Sequence, residues 1–394
     1  MFAAPVFCGS VALVAYAYVG YPLLAWTLGR FSGRPSPVGA RTPSITVVIA
    51  AHNEEARIGT KIENCLRLDY PDLLLNVIVV SDGSIDRTAA VVGGYAERFP
   101  GRVELIEIAE RRGKASALNA AVAQAKGELL LLADVRQRFD PGVARALAGH
   151  FHDPAVGAVS GELILLGPGQ DELQTGLGAY WRYEKFVRRA ESRWGSSMGY
   201  TGAVSAVRRG LFIPLSADTL VDDLVVALRV IAQGSRVLFE PAAKAYDRIS
   251  REPGREFARK VRTLAGTLQT AIEAGRLVGR LPAWTWVQLL SHKLLRLMVP
   301  FLLVAAWVSS AFADEPLYRA AWMVQTAGYG FGALALLFPA QVGKSRLGAL
   351  ASTFLMLNAA AAVGVFSYLS GRRLDLWQGS ASDRAPASNS RVAS

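Results

Sequence analysis

Ile45-Thr46-Val47-Val48-Ile49-Ala50, Val77-Ile78-Val79-Val80 and Leu129-Leu130-Leu131-Leu132 are three apolar runs that each empty into polar residues. The first ends in Ala51-His52-Asn53-Glu54-Glu55, the second in Ser81-Asp82-Gly83-Ser84-Ile85-Asp86, the third in Ala133-Asp134-Val135-Arg136. A strand buried on both faces reads as a continuous apolar run, whereas a strand with one wet face alternates. Carboxylates and amides delivered at the C-terminal ends of such strands fit a parallel sheet with a ligand crevice along that edge. Helical patterns separate the strands. One starts after Asn53 and runs to about Leu68, with Ile58, Ile62 and Leu66 on one face. Asp86 stands where an N-cap belongs, ahead of Ala89, Val92 and Tyr95. The alanine-rich stretch Lys114 to Ala125 is a third helix.

The alternation continues downstream. Val103 to Ile108 reads as a strand, Pro141 to Phe151 as a short helix, Val156 to Leu166 as a strand with a turn, and Arg236 to Glu240 as a closing strand. This is the α/β class, with helices on both faces of the sheet. From Leu173 to Trp194 the character changes, because Trp181, Tyr183, Phe186 and Trp194 interleave with Arg182, Lys185, Arg188, Arg189 and Arg193. That pattern fits a solvated basic helix with an aromatic inner face, or a helix lining an acceptor channel beside a membrane. Gly199 to Ala203 is a tight turn into a strand. Asp222-Asp223 then opens a helix whose apolar side is Leu224, Val225, Leu228 and Ile231.

The two ends of the chain are apolar. Residues Val6 to Leu28 form a run long enough to cross a bilayer, for which about 20 residues suffice. Arg30, Arg34 and Arg41 follow it rather than precede it, which argues against a cleavable signal peptide and places the next domain in the cytoplasm. Three further spans are expected at about Leu294 to Phe312, Ala320 to Pro339 and Leu347 to Leu369. Asp314 and Glu315 in the first intervening loop fall outside, and Lys344 and Arg346 in the second fall inside, in agreement with the parity. Ahead of them, Arg251 to Arg280 and Trp284 to Trp286 carry the cations and tryptophans of a headgroup layer. The organisation expected is a membrane helix over 1–29, a linker over 30–43 and a cytoplasmic domain over 44–250. Amphipathic interface helices over 251–292, three membrane helices over 293–370 and a disordered tail over 371–394 complete it.

Composition narrows the function. A net charge of +11 suits an anionic membrane face or a polyanionic substrate such as a nucleotide diphosphate, and no nucleic-acid motif is present. Two cysteines and four scattered histidines give neither a disulfide framework nor a histidine-rich metal centre.

The strand-end carboxylates each have a plain reading and a chemical one. Asp82 in a Gly-Ser turn can form an Asx turn, or accept from an imide N–H such as that of uracil. Glu54 suits the first turn of any helix. Asp134 follows four leucines, where a carboxylate is costly unless it is paired, with Arg136 as the nearby candidate, or binds a metal. Only one of Asp222 and Asp223 can cap the helix they open. The other is free for general-base work if the pair splits in pKa.

Taken together, these pieces resemble the membrane-embedded glycosyltransferases of family 2, the group of cellulose, hyaluronan and poly-N-acetylglucosamine synthases. The matching residues are His52-Asn53-Glu54-Glu55, Ser81 to Asp86, Gly113-Lys114 with Ala117-Leu118-Asn119, Asp134-Val135-Arg136, Asp222-Asp223 and Arg259 to Arg262, in order over Ser44 to Gly266. The resemblance implies a mostly parallel, Rossmann-like GT-A sheet domain joined to one N-terminal and about three C-terminal transmembrane helices. It implies that Ala51, His52, Glu54 and Asp82 hold the base of a nucleotide-sugar donor, expected to be UDP-linked, with Lys114, Arg136 and Arg259 near the nucleotide. Asp134 matches the first acid of the metal motif, Asp223 the general base beside Asp222, and Arg262 the arginine that braces the diphosphate and the acceptor end. A divalent cation, Mg²⁺ or Mn²⁺, is the expected cofactor. The expected reaction is a single inverting transfer to a glycan or lipid-linked acceptor at an inner, cytoplasmic membrane. Membrane lipids and other polysaccharide-assembly proteins are the expected partners.

The chain departs from the family pattern in three places. Arg136 stands where the second metal-motif acid is usual, Arg259 and Thr263 replace the glutamine and tryptophan of the last motif, and Ser81 replaces an aspartate. The missing tryptophan bears on whether transfer repeats. Other readings of the same residues are a polyprenyl-phosphate sugar transferase, a catalytically silent nucleotide-sensing membrane protein, and a transporter.

Overall fold

The structure is a computed structural model, and it describes residues 3–34, 36–167, 176–248, 253–277 and 279–372. In chain order the elements are α1 (Ala3–Ala15), a π-turn, α2 (Tyr21–Phe31), β1 (Ile45–Ala51), α3 (Ile58–Leu66), β2 (Leu75–Asp82), α4 (Thr88–Arg98), β3 (Val103–Ile108) and α5 (Lys114–Gln124). Then come β4 (Leu129–Ala133), β5 (Arg138–Phe139), α6 (Val143–Ala148), β6 (Val156–Leu166), α7 (Gly176–Trp194), β7 (Val204–Arg208), α8 (Asp222–Ala232) and β8 (Arg236–Arg248). The chain closes with α9 (Pro253–Arg276), α10 (Ala283–Gln288), a π-turn, α11 (Leu295–Ala311), α12 (Pro316–Leu337) and α13 (Arg346–Leu369).

Among the described residues the strands form one eight-stranded sheet in the order β3-β2-β1-β4-β7-β6-β8-β5. The three apolar runs of the sequence are parallel neighbours at its centre, with Ala51 opposite Ser81 and Ile49 opposite Ala133. Their polar C-terminal residues therefore share one edge. Strands leave β1 in one direction through β2 and β3, then return to its other side with β4. That reversal is where a doubly wound sheet opens its ligand crevice. Residues along each strand alternate between two cores: Val47, Ile49, Val77 and Val79 pack with Ile58, Ile62 and Val92 on one face, while Val48, Ile78 and Val80 pack with Ala117, Leu118, Leu228 and Ile231 on the other.

Several expectations are adjusted. The first helix starts at Ile58 rather than after Asn53, because residues 52–57 are spent on turns. The closing strand β8 runs on to Arg248, well past the expected stop at Glu240. Pro241 has no N–H to give a ladder, and pairing with β6 breaks there, jumping from Ser160–Phe239 to Glu162–Lys244. The bulge comes so close to β6 that a Cβ on Gly161 would stand 2.4 Å from the Ala243 carbonyl. The helix expected over Leu173 to Trp194 is described from Gly176 onward, and the tail expected to be disordered lies, after Arg372, outside the described residues.

Among the described residues, four helical stretches are long and apolar enough to cross a membrane: Ala3–Phe31, Ala283–Ala311, Pro316–Leu337 and Arg346–Leu369. The second continues unbroken from the Trp284–Trp286 turn, so the boundary expected at 292 does not appear. Helix α7 joins this bundle to the sheet domain through a buried polar cluster. Tyr21 Oη donates to Glu191 Oε1 at 2.5 Å, His292 Nδ1 lies 2.7 Å from the same oxygen, and the Met198 N–H donates to Glu191 Oε2 at 3.0 Å. Arg296 pairs with Glu184, two turns from Glu191 along α7.

Candidate active site

The crevice edge is built from turns that hold one another. Asn53, at the end of β1, takes a left-handed φ of 54° and accepts from the Ile85 N–H through Oδ1, so the first two motifs are latched together. His52 Nδ1 sits 2.7 Å from the Asp82 carbonyl. Asp82 is fully buried, and its two carboxylate oxygens accept from the backbone N–H groups of Arg112 and Gly113, each at 2.8 Å. Each oxygen thus already holds one backbone donor and keeps a second lone pair, where the uracil imide expected from the sequence would have to bind. What Asp82 fixes is the start of α5, where Gly113 has a φ of 89° that favours glycine. Gly83, at φ 60°, lets the Asp82 turn lie against that loop, since a Cβ there would come within 2.4 Å of the Arg111 N.

From that anchored start, Lys114 reaches into a cavity of about 310 Å³. Its Nζ lies 2.9 Å from Asp134 Oδ1 and 3.2 Å from Asp222 Oδ2. Burial alone would lower the ammonium pKa, but Asp134 and then Asp222 outweigh it and hold Lys114 well above its ordinary value. The candidate salt bridge between Asp134 and Arg136 is replaced by this one. Arg136 donates instead to Asp247 Oδ2 at 2.8 Å, an oxygen it shares with Gln137 Nε2. Arg136 still lines the cavity with its charge held by Asp247.

The cavity's roof comes from β7. Ala133 pairs antiparallel with Val204, which sets the Tyr200 to Ala203 turn beside Asp134. A Cβ on Gly202 would stand 3.2 Å from both Asp222 Oδ2 and Lys114 Nζ. Helix α8 starts at the same place with Val221 as its N-cap, so neither Asp222 nor Asp223 is the cap and both sit in the first turn. Asp223 Oδ1 accepts from the Leu224 N–H at 2.7 Å. A helix N-terminus favours a carboxylate, yet burial, reinforced by the charge of Asp222, wins and pushes Asp223 up to about 6.

Helix α9 closes the far side with Arg259, Lys260, Arg262 and Thr263. Burial lowers the Arg262 guanidinium below its usual value, with Asp222 and Asp134 pulling the other way. The helix can approach because Gly266 has no side chain, as a Cβ there would lie 2.3 Å from Val221 Cγ2. Glu54, Lys114, Asp134, Arg136, Asp222, Asp223, Arg259 and Arg262 thus share one cavity. Ala51, His52 and Asp82, at the strand ends, are not among its lining residues. Among the described residues no group of three or more His, Cys, Asp or Glu could hold a metal ion.

Residues 46–215 match the family model described as glycosyl transferase family 2. The chain carries a glycosyltransferase family 2 domain. It is 26% identical over 212 residues to the probable glycosyltransferase YdaM of Bacillus subtilis, covering 52% of this chain and 50% of that protein. It is 24% identical over 226 residues to a poly-beta-1,6-N-acetyl-D-glucosamine synthase of Staphylococcus aureus, covering 56% and 54%. The chain spans about half the length of the curated relatives it matches. Among solved structures it is similar to the mannosyltransferase PcManGT from Pyrobaculum calidifontis in complex with GDP-Man and Mn²⁺. The TM-score is 0.73 and the identity 26%, over 93% of this chain and 99% of that one. The family 2 domain is the mostly parallel GT-A sheet expected from the sequence.

Beside the expected site residues, Tyr200 and Lys260 were given no chemical role from the sequence, and Arg188 and Trp181 sat on a helix with two readings. All four line the cavity. The solvated-helix reading of α7 falls away, because Glu184, Val187, Arg188, Ala190 and Glu191 are buried and the helix packs on α2, β8 and α13. The signal was the regular return of an aromatic or a cation along α7, which says that a face is special but not what it faces.

Proposed function

We propose that the chain is an inverting glycosyltransferase that moves a sugar from a nucleotide diphosphate donor to a hydroxyl of a glycan or lipid-linked acceptor at a membrane. The observation that carries this reading is Asp223, a carboxylate pushed up to about 6 in the cavity that also holds Lys114, Asp134 and Arg262. A base poised near the working pH takes a hydroxyl proton most effectively, a contribution of about 10²–10⁴ in rate. In the proposed step the acceptor oxygen bonds to the anomeric carbon while the bond from that carbon to the diphosphate breaks. The proton goes to Asp223 and the electron pair leaves with the nucleoside diphosphate. Lys114 and Arg262 are set to meet the charge that develops there.

The donor set fits a cation that arrives with its substrate. Asp134 and Asp222 already share one positive charge, the Lys114 ammonium, and Mg²⁺-type ions are commonly held by one or two carboxylates plus phosphate oxygens and water. A divalent ion bound to Asp134 would supply Lewis-acid stabilisation of the leaving diphosphate, and PcManGT holds Mn²⁺ with GDP-Man. The similarity to a poly-N-acetylglucosamine synthase supports a role in polysaccharide or glycolipid synthesis. The four apolar helical stretches support a multi-pass protein, and the loop charges support a cytoplasmic site on an inner membrane.

The test is release of free nucleoside diphosphate by the detergent-solubilised full chain, taken across a panel of common UDP-, GDP- and dTDP-sugars. One donor is expected to release its diphosphate, with Asp223→Asn at least about 100-fold slower. No release from any donor, or an Asp223→Asn rate equal to wild type, contradicts the reading.

A further inference from the structure

The cavity is electrically lopsided. At the sheet end Asp134, Asp222 and Asp223 surround Lys114, and Arg136 is neutralised by Asp247. At the α7–α9 end three cations, Arg188, Arg259 and Lys260, gather around Glu256, and the other carboxylate felt by Lys260, Glu184, is already paired with Arg296 and bonded to His292. Arg259 Nη2 binds Glu256 Oε2 at 2.6 Å, and Lys260 Nζ is left 3.9 Å from the other oxygen. Lys260 lies 5.1 Å and 5.2 Å from the ring centroids of Trp181 and Tyr180, and the Arg188 guanidinium is 5.7 Å from that of Trp181. Arg188 is only 9% exposed, and among the described residues its Nε has no hydrogen-bond partner. Burial is the main cause that pushes Lys260 down to about 8; Glu256 and Glu184 offset part of it, and Arg259 and Arg188 add like-charge repulsion. Buried cations held together with too little counter-charge are stabilised by an incoming anion.

This end abuts the apolar bundle. A Cβ on Gly364 of α13 would lie 3.0 Å from the Val261 carbonyl, in the same turn of α9 as Arg259 and Lys260. Helix α7, which carries Trp181 and Arg188, packs on both α2 and α13.

We propose that Arg188, Arg259 and Lys260, beside Trp181 and Tyr180, bind a phosphate group carried by the acceptor, so that the acceptor is a phosphate-linked lipid whose sugar hydroxyl points towards Asp223. The proposal rests on the transferase reading above and names its acceptor class. A phosphate oxygen acting as nucleophile is already deprotonated at neutral pH and needs no base. With Asp223 present as base, the phosphate is a handle and a hydroxyl attacks.

The test is equilibrium binding to the full chain in detergent micelles, which needs no turnover. The probes are undecaprenyl phosphate, undecaprenol, inorganic phosphate, and UDP or GDP with Mn²⁺. Undecaprenyl phosphate is expected to bind at least about tenfold tighter than undecaprenol. Lys260→Gln and Arg188→Gln should each weaken it about tenfold, Lys260→Arg should restore it, and nucleotide affinity should move less than about threefold. Retained nucleotide binding also reports that each variant is folded. Equal binding of the alcohol and the phosphate overturns the proposal. So does an equal loss of nucleotide affinity, which would give the cations to the donor's diphosphate. Displacement of the lipid by inorganic phosphate at matching concentration would make the site one for soluble phosphate and overturn the lipid linkage. Failure of every donor to release its diphosphate would sink the transferase reading yet leave these binding results readable.

Discussion

At the scale of single residues, the chemistry depends on which influence wins at each carboxylate. For Asp223, burial and Asp222 overcome the helix N-terminus and Lys114, and the result is a group that titrates near 6. Activity should therefore fall as pH drops through about 6, with kcat/KM losing tenfold per unit below it, as measured on the donor identified by diphosphate release. A flat profile from pH 5 to 8 would remove Asp223 as the base. The stability consequence has the opposite sense. A carboxyl raised above its unfolded value favours the fold below about pH 4 and loses that advantage as pH rises through 6, so Asp223→Asn should raise Tm at pH 7.5 and leave it unchanged at pH 4. Asp82 holds the start of α5 through two backbone hydrogen bonds. Asp82→Ala leaves the Arg112 and Gly113 N–H groups unpaired, a loss on the order of 3 kcal/mol, and frees the start of α5 so that Lys114 no longer meets Asp134. Thermal unfolding and diphosphate release should both fall; an unchanged Tm would contradict this role. Asp134 and the Asp222-Asp223 pair were legible in the sequence because an acid after four leucines, or two adjacent acids at a helix start, lacks a cheap explanation. The backbone contacts of Asp82 were not legible, because their donors lie 30 and 31 residues away.

At the scale of elements, the site needs α9 close to the loop before α8, and Gly266 permits that approach. Gly266→Leu should push the helix off Val221 and carry Arg262 with it, one turn earlier in the chain. The expected result is a drop of about tenfold or more in kcat with nucleotide binding by the sheet edge largely kept. Wild-type kcat in that variant would mean that the approach of α9 does not matter. The strands of the central sheet were legible from continuous apolar runs, and α8 from its acids and apolar stripe. The two-residue β5 and the extension of β8 past Pro241 were not, because a proline inside a strand pattern normally argues against continuation and only the bulge beside Gly161 reconciles the two.

At the scale of the whole molecule, the sheet domain and the apolar helices are one packed unit. Buried Glu191 ties α7 to Tyr21 in the first apolar stretch and His292 in the second, so the wall of the cavity and the bundle share side chains. The four apolar stretches were legible from hydropathy, but this joint was not: nothing in the sequence singles out Glu184 and Glu191 until the fold brings His292 and Arg296 beside them. The central claim is that one cavity between these layers receives an activated sugar on the carboxylates at the ends of the central strands. Its most direct measurement is equilibrium binding of nucleotide sugars, with Mn²⁺, to the full-length Asp223→Asn protein and to the same protein also carrying Asp134→Ala. Saturable one-to-one binding of a nucleotide sugar that weakens at least about tenfold when Asp134 is removed is the expected result. Binding that is indifferent to Asp134, or no binding of any nucleotide sugar, would contradict it.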